Sequence, residues 1–289
     1  MRVAIVGANG QLGTELVNQF SQHDIIPWTR RDFDVRDHRG VEDAVLSARP
    51  DVLINTAAFH KTDVCEDDPA LAFSINALAV RNLARASAAC NAAFVHMSTD
   101  YVFDGAQRSP YVEEDRPNPI NVYGTSKLAG EHFAAAACRR SYVVRIASLF
   151  GTAGSSGKGG NTVEVVLARA GRGEILTFVD DVVMSPTYAV DAARAIRLLV
   201  EAAAPSGTYH VTNAGTCSWY AFAGEILRLA GVRADLRATT LAELAPKARR
   251  PHYSALTSQR LPALGLKPLR PWQEALAAYL TDRAAVIHA

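Results

Sequence analysis

Residues 2–13 read RVAIVGANGQLG, an apolar run followed by three glycines at a regular spacing. The apolar run predicts a short buried strand, and residues 14–20 carry the apolar spacing of a helix. A glycine-rich turn between a strand and a helix lets the backbone approach a pyrophosphate, which then lies at the positive N-terminus of the helix. The spacing G-x-x-G-x-x-G differs from G-x-G-x-x-G, the common dinucleotide fingerprint. The stretch therefore predicts a dinucleotide-binding unit, and glycines that serve only a tight turn are the alternative.

The same rhythm continues through the first half of the chain. Further apolar strands are predicted at 25–28, 51–55 and 93–97, with helices at 39–48 and 70–89 between them. Strands that alternate with helices indicate an α/β protein with a Rossmann-type, doubly wound parallel sheet. Ligands bind such a sheet at the carboxyl ends of its strands.

The second half predicts a smaller α/β lobe that binds substrate. It contains strands predicted at 143–146 and 208–212, and helices predicted at 161–170 and 219–229, the last capped by Ser218. The domain prediction is a dinucleotide-binding Rossmann domain over 1–150 with return segments near 176–213, and a substrate lobe made mainly of 151–175 and 214–289.

The residues after the second strand indicate which dinucleotide binds. Thr29, Arg30 and Arg31 stand where an NAD-selective fold carries an acid for the ribose 2′-hydroxyl. Basic side chains suit a 2′-phosphate, so we predict NADPH, with NADH as the alternative cofactor. Solvated loop arginines are the other interpretation. Asp34 and Asp37 come too late to end the strand, and they favour a contact to the adenine edge or a cap of the next helix.

Tyr123 and Lys127 are four residues apart in NVYGTSK, residues 121–127. On a helix this spacing places both side chains on one face. An ammonium beside a phenol favours the phenolate, so the tyrosine pKa is predicted to fall from about 10 towards working pH. Such a tyrosine can exchange a proton with a sugar or alcohol oxygen. The spacing is frequent by chance on amphipathic helices, so its context decides.

Composition limits the classes of partner. The chain of 289 residues has 30 basic and 29 acidic side chains, which gives no surplus to attract nucleic acid or an anionic membrane. The start of the chain reads as a strand rather than a leader, and no apolar run reaches about 18 residues, so we expect a cytoplasmic location. The four cysteines are far apart without a C-x-x-C pair, and we expect no metal.

Several motifs together resemble the extended short-chain dehydrogenase/reductases, and more narrowly the dTDP-4-dehydrorhamnose reductase family. They are Gly7-x-x-Gly10-x-x-Gly13, Asn55-x-Ala57-Ala58, STDYVFDG at 98–105, NVYGTSK at 121–127, DDVVMSPTY at 180–188, SWY at 218–220 and ARRP at 248–251. The resemblance runs through most of the chain. It implies NAD(P)H-dependent reduction of the C4 ketone of a nucleotide-linked 4-keto-6-deoxy sugar, with dTDP-4-dehydro-L-rhamnose as the expected substrate.

The resemblance and the motifs also give a set of expected site residues. The catalytic residues are Thr99, Tyr123 and Lys127. The cofactor residues are Gly7, Asn9, Gly10, Gln11, Leu12, Gly13, Arg30, Asp34, Val35, Ala57, Ala58, Tyr123 and Lys127. The substrate residues are Thr99, Asp100, Val102, Phe103, Asp104, Tyr123 and Arg249. The partner is a nucleotide sugar; the sequence leaves the oligomeric state open, with a homodimer as the assembly considered.

One departure from the family pattern bears on the substrate. After Arg145 the family commonly reads Thr-Ser-Trp, with the tryptophan beside the sugar, whereas this chain has Ile146, Ala147 and Ser148. The wall of the sugar site is therefore predicted to be rebuilt. Related epimerases and 4,6-dehydratases share the glycines and the Tyr-x-x-x-Lys pair, and a non-enzymatic NADP-binding regulatory subunit is the alternative from another class.

Three further places leave substrate contact open. Arg249 and Arg250 form a basic pair that suits a diphosphate, with solvated surface arginines as the alternative. His60 follows the third strand and is either a substrate contact or a surface residue. Residues 151–160 are glycine-rich and lack the G-x-x-x-x-G-K-[ST] order, so they predict a flexible loop or a lid that brings Lys158 to the substrate phosphates.

Overall fold

The computed structural model of the protein describes residues 1–153 and 160–287. Its strands are β1 (Arg2–Val6), β2 (Asp24–Trp28), β3 (Val52–Asn55), β4 (Ala93–Thr99), β5 (Ser141–Ile146), β6 (Leu149–Phe150), β7 (Leu176–Val179), β8 (Val183–Met184), β9 (Thr187–Tyr188), β10 (Gly207–His210), β11 (Cys217–Ser218) and β12 (Leu236–Thr239). Its helices are α1 (Gln11–Gln19), α2 (His38–Ala48), α3 (Thr62–Asp67), α4 (Pro69–Phe73), α5 (Ala79–Ala89), α6 (Val122–Ala137), α7 (Thr162–Gly171), α8 (Ala189–Glu201), α9 (Trp219–Ala230), α10 (Leu241–Leu244), α11 (Arg260–Ala263) and α12 (Trp272–Ile287). Among these helices none is both long and apolar enough to cross a membrane.

Six strands form one parallel sheet in the order β10-β5-β4-β3-β1-β2. Helices α1 and α8 cover one face through Leu16 and Ile196, and α2, α5 and α6 cover the other. The predicted Rossmann-type parallel sheet is therefore confirmed. The strand order reverses between β1 and β3, because the chain runs from β1 outwards to β2 and then crosses to β3 on the other side of β1. In this architecture ligands bind in the crevice at the carboxyl ends of the strands where the order reverses.

A second hydrophobic cluster lies outside the large sheet. Helices α7, α9 and α12 pack together around the aromatic rings of Phe150, Tyr188 and Phe222. Short strands join this region in pairs, β7 with β12, β8 with β11 and β6 with β9. In the sequence, α8 and β10 lie between segments of this second region, but they belong to the large sheet: α8 covers one face and β10 is its edge strand. We expect this second cluster to be the body of the substrate lobe, and the boundary at residue 150 stays a prediction.

The helix predicted over 70–89 is present in three pieces. A π-helical turn, Ser74–Leu78, separates α4 from α5. Within it, the buried Asn76 side chain donates to the Phe59 carbonyl and to Ser126 Oγ on α6, and accepts from the Phe59 N–H. Such turns are frequent at functional sites because they redirect a side chain. Here the turn ties the loop after β3 to α6.

Candidate active site

The glycine-rich turn leaves the N-terminus of α1 open. The helix begins at Gln11, earlier than predicted, and Gly10 caps it without a side-chain hydrogen bond. Gly7 has a φ of +82°, and a Cβ at Gly13 would lie 2.1 Å from the Gly7 carbonyl oxygen. Only glycines allow this close turn. Gln11 Nε2 is buried without a hydrogen-bond partner among the described residues. An uncapped helix N-terminus beside an unpaired amide donor fits a pyrophosphate.

The other residues of the turn have different surroundings. Asn9 is exposed, and Leu12 is buried in the core, so the Leu12 side chain packs while only its backbone faces the turn. After β3, Thr56 Oγ1 donates to the carbonyl oxygens of Val6 and Gly7. The half-buried Ala57 donates its N–H to the Asn55 side chain, and Ala58 follows it. The loop after β3 is thereby fixed beside the glycine-rich turn, and the Ala57 side chain packs against the core.

Arg30 follows the end of β2, which is joined to the glycine-rich turn. The N–H groups of Gly7 and Ala8 both donate to the Trp28 carbonyl, at 2.9 and 3.0 Å, and so join the end of β2 to the turn. The exposed Arg30 guanidinium makes no hydrogen bond within the described residues, although its charge acts on the Asp34 carboxylate, so it is available to a phosphate. Asp34 differs, because its carboxylate accepts from Arg36, which lowers the Asp34 pKa to about 2.

Two other residues near Asp34 have structural contacts. Val35 packs against the core beside α2, and it presents apolar surface rather than a polar contact. Asp37 caps α2 by accepting from the Gly40 N–H, which confirms the cap interpretation for that residue.

Thr99 and Tyr123 meet at the carboxyl end of the sheet. Thr99 ends β4, and Tyr123 stands in the first turn of α6, which Asn121 caps by accepting from the Gly124 N–H at 2.7 Å. A hydrogen bond joins the side chains of Tyr123 and Thr99. The Tyr101 ring packs edge-on against Tyr123, with 5.9 Å between centroids. A phenol and a hydroxyl are thereby held side by side, as proton transfer to one oxygen requires.

Lys127 lies on the same helix but does not lower the Tyr123 pKa. Its side chain is 2% exposed, and its ammonium donates to the Met97 carbonyl. Burial raises the Tyr123 pKa well above its usual range, with a smaller contribution from Asp100, and the hydrogen bond with Thr99 opposes this. The predicted fall of the Tyr123 pKa is therefore wrong. Burial also lowers the Lys127 pKa to about 8.

Asp100 is a buried carboxyl that adjoins the hydroxyl groups of Thr99 and Tyr123. Thr99 Oγ1 donates to Asp100 Oδ1 at 2.9 Å, and Ser254 also hydrogen-bonds this carboxyl. Burial raises the Asp100 pKa to about 6 despite these bonds. Asp100 is 4% exposed and accepts from Thr99, so it orients the Thr99 hydroxyl. Ser254 was missed in the sequence, because no local pattern marks a serine that arrives from the end of the chain.

The other predicted substrate residues are placed unequally. Val102 and Phe103 are fully buried in a small hydrophobic cluster, so their side chains support the site from below. Asp104 accepts from Tyr111, Asn118 and the Ala106 N–H and thereby shapes its own loop. Arg249 is exposed, and its carbonyl accepts from Asn121 at the start of α6. Its backbone therefore lies beside the start of α6, which carries Tyr123.

The remaining open places are resolved in part. Arg250 donates to Asp63, so this arginine joins the end of the chain to α3. His60 is half-buried next to α3. Residues 154–159 of the glycine-rich stretch, with Lys158, lie outside the described residues. No group of three or more His, Cys, Asp or Glu side chains is placed to share a metal ion in the described part of the chain.

Comparison with known proteins gives consistent matches over the full length. A family model described as the RmlD substrate binding domain matches residues 1–285. The spore coat polysaccharide biosynthesis protein SpsK of Bacillus subtilis is 37% identical, over 98% of both chains. The dTDP-4-dehydrorhamnose reductase of Streptomyces griseus is 38% identical, over 95% of this chain and 91% of that one. The crystal structure of the Bacillus anthracis dTDP-4-dehydrorhamnose reductase in complex with NADP is 35% identical, with a TM-score of 0.92 over 97% of this chain and 99% of that one.

Proposed function

This chain belongs to the RmlD substrate binding domain family, and from this premise we propose that it is an NADPH-dependent oxidoreductase that reduces dTDP-4-dehydro-L-rhamnose to dTDP-L-rhamnose. The family expected from the motifs is confirmed. The observation that carries the proposal is the pair of Thr99 and Tyr123 at the carboxyl edge of the sheet, the same edge at which β1 leads into the open N-terminus of α1. A proton donor next to a dinucleotide cradle is what carbonyl reduction needs.

The residues present fit NADPH, which when bound supplies hydride to C4 of the sugar. The N–H groups at the start of α1 and the Gln11 amide would hold the pyrophosphate. Arg30 would engage the 2′-phosphate. Lys127 would hold the ribose beside the nicotinamide, in a site where its charge is shielded from water.

The protein's own contribution is to complete the reduction with a proton. Because burial raises its pKa, Tyr123 is a neutral phenol at working pH and can donate its proton to the oxygen that becomes the C4 hydroxyl. The Thr99 hydroxyl, which donates to Asp100 in the structure, would turn to donate to the same oxygen when the sugar is bound. The site thus stabilises negative charge as it develops on that oxygen.

Tyr101 disfavours the dehydratase alternative. Loss of water between C5 and C6 needs a further acid or base. Related dehydratases carry an acid pair after the threonine for this step, whereas in this chain Tyr101 follows Asp100. We propose a cytoplasmic location, as expected from the sequence, and a homodimer.

The decisive experiment is incubation of the protein with NADPH and freshly made dTDP-4-dehydro-L-rhamnose. We expect the nicotinamide absorbance to fall with formation of one equivalent of dTDP-L-rhamnose. A folded protein that binds NADPH but leaves both compounds unchanged would contradict the proposed reduction.

Arg30→Ala is expected to reduce the preference for NADPH over NADH about fivefold, since an exposed ionic contact contributes on the order of 1 kcal/mol. The ratio of kcat/KM for the two cofactors measures this preference. Arg39→Ala is a matched control, because Arg39 is an exposed arginine on α2. An unchanged ratio in Arg30→Ala would remove Arg30 from the cofactor site.

A broader range of 4-keto sugars is expected because of Ser148. This residue follows β5 at the edge of the crevice, is half-buried and has a φ of +43°. A serine leaves space where the family commonly carries a tryptophan. A panel of C3- and C5-epimeric nucleotide sugars measures the range, and Ser148→Trp should narrow it. Turnover confined to the rhamnose precursor in both proteins would contradict this expectation.

A further inference from the structure

Glu131 lies one turn beyond Lys127 on α6, behind the candidate site. It is 6% exposed and forms a two-pronged ion pair with the buried Arg145 on β5. Arg145 Nε donates to Oε1 at 2.9 Å, and Arg145 Nη2 donates to Oε2 at 2.7 Å. Ser98 Oγ also donates to Oε1. Three donors therefore hold this carboxylate in the interior of the protein.

Glu131 and Lys127 hold the same segment of β4. Lys127 donates to the Met97 carbonyl, and Glu131 accepts from the next residue, Ser98. Thr99, which meets Tyr123, is the residue after that. The end of β4 is thus fixed to α6 at two consecutive residues, directly before the hydroxyl that the proposed reaction uses.

The charged and titratable groups that face Lys127 come from three elements. Glu131 on α6 and His96 on β4 interact with the Lys127 charge, Arg145 on β5 is paired with Glu131, and Tyr123 lies one turn before Lys127 on α6. Burial keeps the His96 pKa well below its usual value, so His96 is neutral. Burial also lowers the Lys127 pKa, and Glu131 opposes that fall. Among these groups, Glu131 alone carries a negative charge.

We propose that Glu131 is a positioning residue that keeps Lys127 charged inside the protein and fixes the end of β4 that carries Thr99. The inference rests on the function proposed above, because the Lys127 charge matters there only if Lys127 holds the cofactor. An opposite charge next to a buried ammonium favours its protonated form. Without Glu131, Lys127 would lose its proton at a lower pH and NADPH would lose its contact there.

The test is the pH dependence of NADPH binding in Glu131→Gln, followed by nicotinamide fluorescence. Binding by the wild type should weaken as the pH rises through the Lys127 pKa of about 8. In Glu131→Gln the midpoint of this loss should move down by about one pH unit or more. Glu131→Asp retains the carboxylate and should recover most of the shift. An unchanged midpoint in folded Glu131→Gln would overturn the proposal.

A double variant separates the loss of the Glu131 charge from a failure to fold. Glu131→Gln leaves Arg145 buried without its partner, which can prevent folding. The double variant Glu131→Gln with Arg145→Met removes both charges and should still shift the midpoint down, because Glu131 is the member of the pair that raises the Lys127 pKa. An unchanged midpoint in the folded double variant also overturns the proposal.

Ser98→Ala removes a hydrogen bond to Glu131 without a change of charge, and its midpoint should stay near that of the wild type. A shift as large as that of Glu131→Gln would assign the effect to geometry and overturn the role of charge. Failure of the proposed function looks different, because the wild type itself would then not bind NADPH at neutral pH or not reduce the sugar.

Discussion

Tyr123→Phe is expected to lower kcat about 10²- to 10⁴-fold, the range for loss of a general acid. The variant removes only the phenolic oxygen, so the ring keeps its edge-on packing against Tyr101 and the buried surroundings at the start of α6. NADPH should bind with nearly unchanged affinity. Steady-state rates with saturating NADPH and sugar measure the chemical defect, and a fluorescence titration measures cofactor affinity separately.

Tyr142→Phe is the matched control for this substitution. Tyr142 is a buried tyrosine on β5, in the hydrophobic cluster beneath α1 and α8, and its variant should keep the wild-type kcat. Thr99→Val should mainly slow the reaction, since it removes the second donor and keeps the shape of the side chain. A near-normal kcat in folded Tyr123→Phe that binds NADPH would contradict the mechanism and favour the non-enzymatic regulatory role.

The large sheet could be predicted from the sequence because its strands are short apolar runs. β1, β3 and β4 are almost completely buried, so both of their faces require hydrophobic side chains and the runs are easy to recognise. The glycine-rich turn was equally visible, since a turn this tight needs glycine at fixed positions. Local chemistry determines these features, and local sequence therefore contains them.

The inner half of the site depends on contacts between distant residues. Ser254 hydrogen-bonds Asp100, although more than half of the chain separates the two residues, and no periodic pattern in the sequence predicts this contact. Similarly, the π-helical turn around Asn76 interrupts a sequence with ordinary helical spacing. Its reason is the hydrogen bonding of one side chain to Phe59 and Ser126, which only the folded chain brings together.

The error in the Tyr123 pKa has the same origin. The helical spacing correctly placed Tyr123 and Lys127 on α6, but it could not give the direction of the lysine side chain. The ammonium donates to the Met97 carbonyl, so burial dominates the Tyr123 pKa and raises it. Loss of reduction at alkaline pH is therefore expected to follow the titration of Lys127 rather than that of Tyr123.

Lys127→Met is expected to weaken NADPH binding about 10- to 100-fold, because a hydrogen bond from a charged donor contributes about 1.5–3 kcal/mol. Methionine is unbranched and apolar, so it fills the buried site without leaving a large cavity. Glu131 keeps its ion pair with Arg145 in this variant and is not left as an unpaired buried charge. The substitution therefore tests the ammonium itself.

The pH dependence of the same binding gives a second readout with a definite sign. The Lys127 pKa of about 8 lies below the usual lysine value, so the ammonium is present at lower pH and is lost as the pH rises through this value. Wild-type affinity for NADPH should fall in that range, and Lys127→Met should be weak at all pH values without that fall. Lys267→Met, at an exposed lysine before α12, should behave as the wild type. If Lys127→Met binds NADPH as tightly as the wild type and shows the same alkaline loss, the ammonium does not hold the cofactor, and the charge that Glu131 preserves serves folding alone.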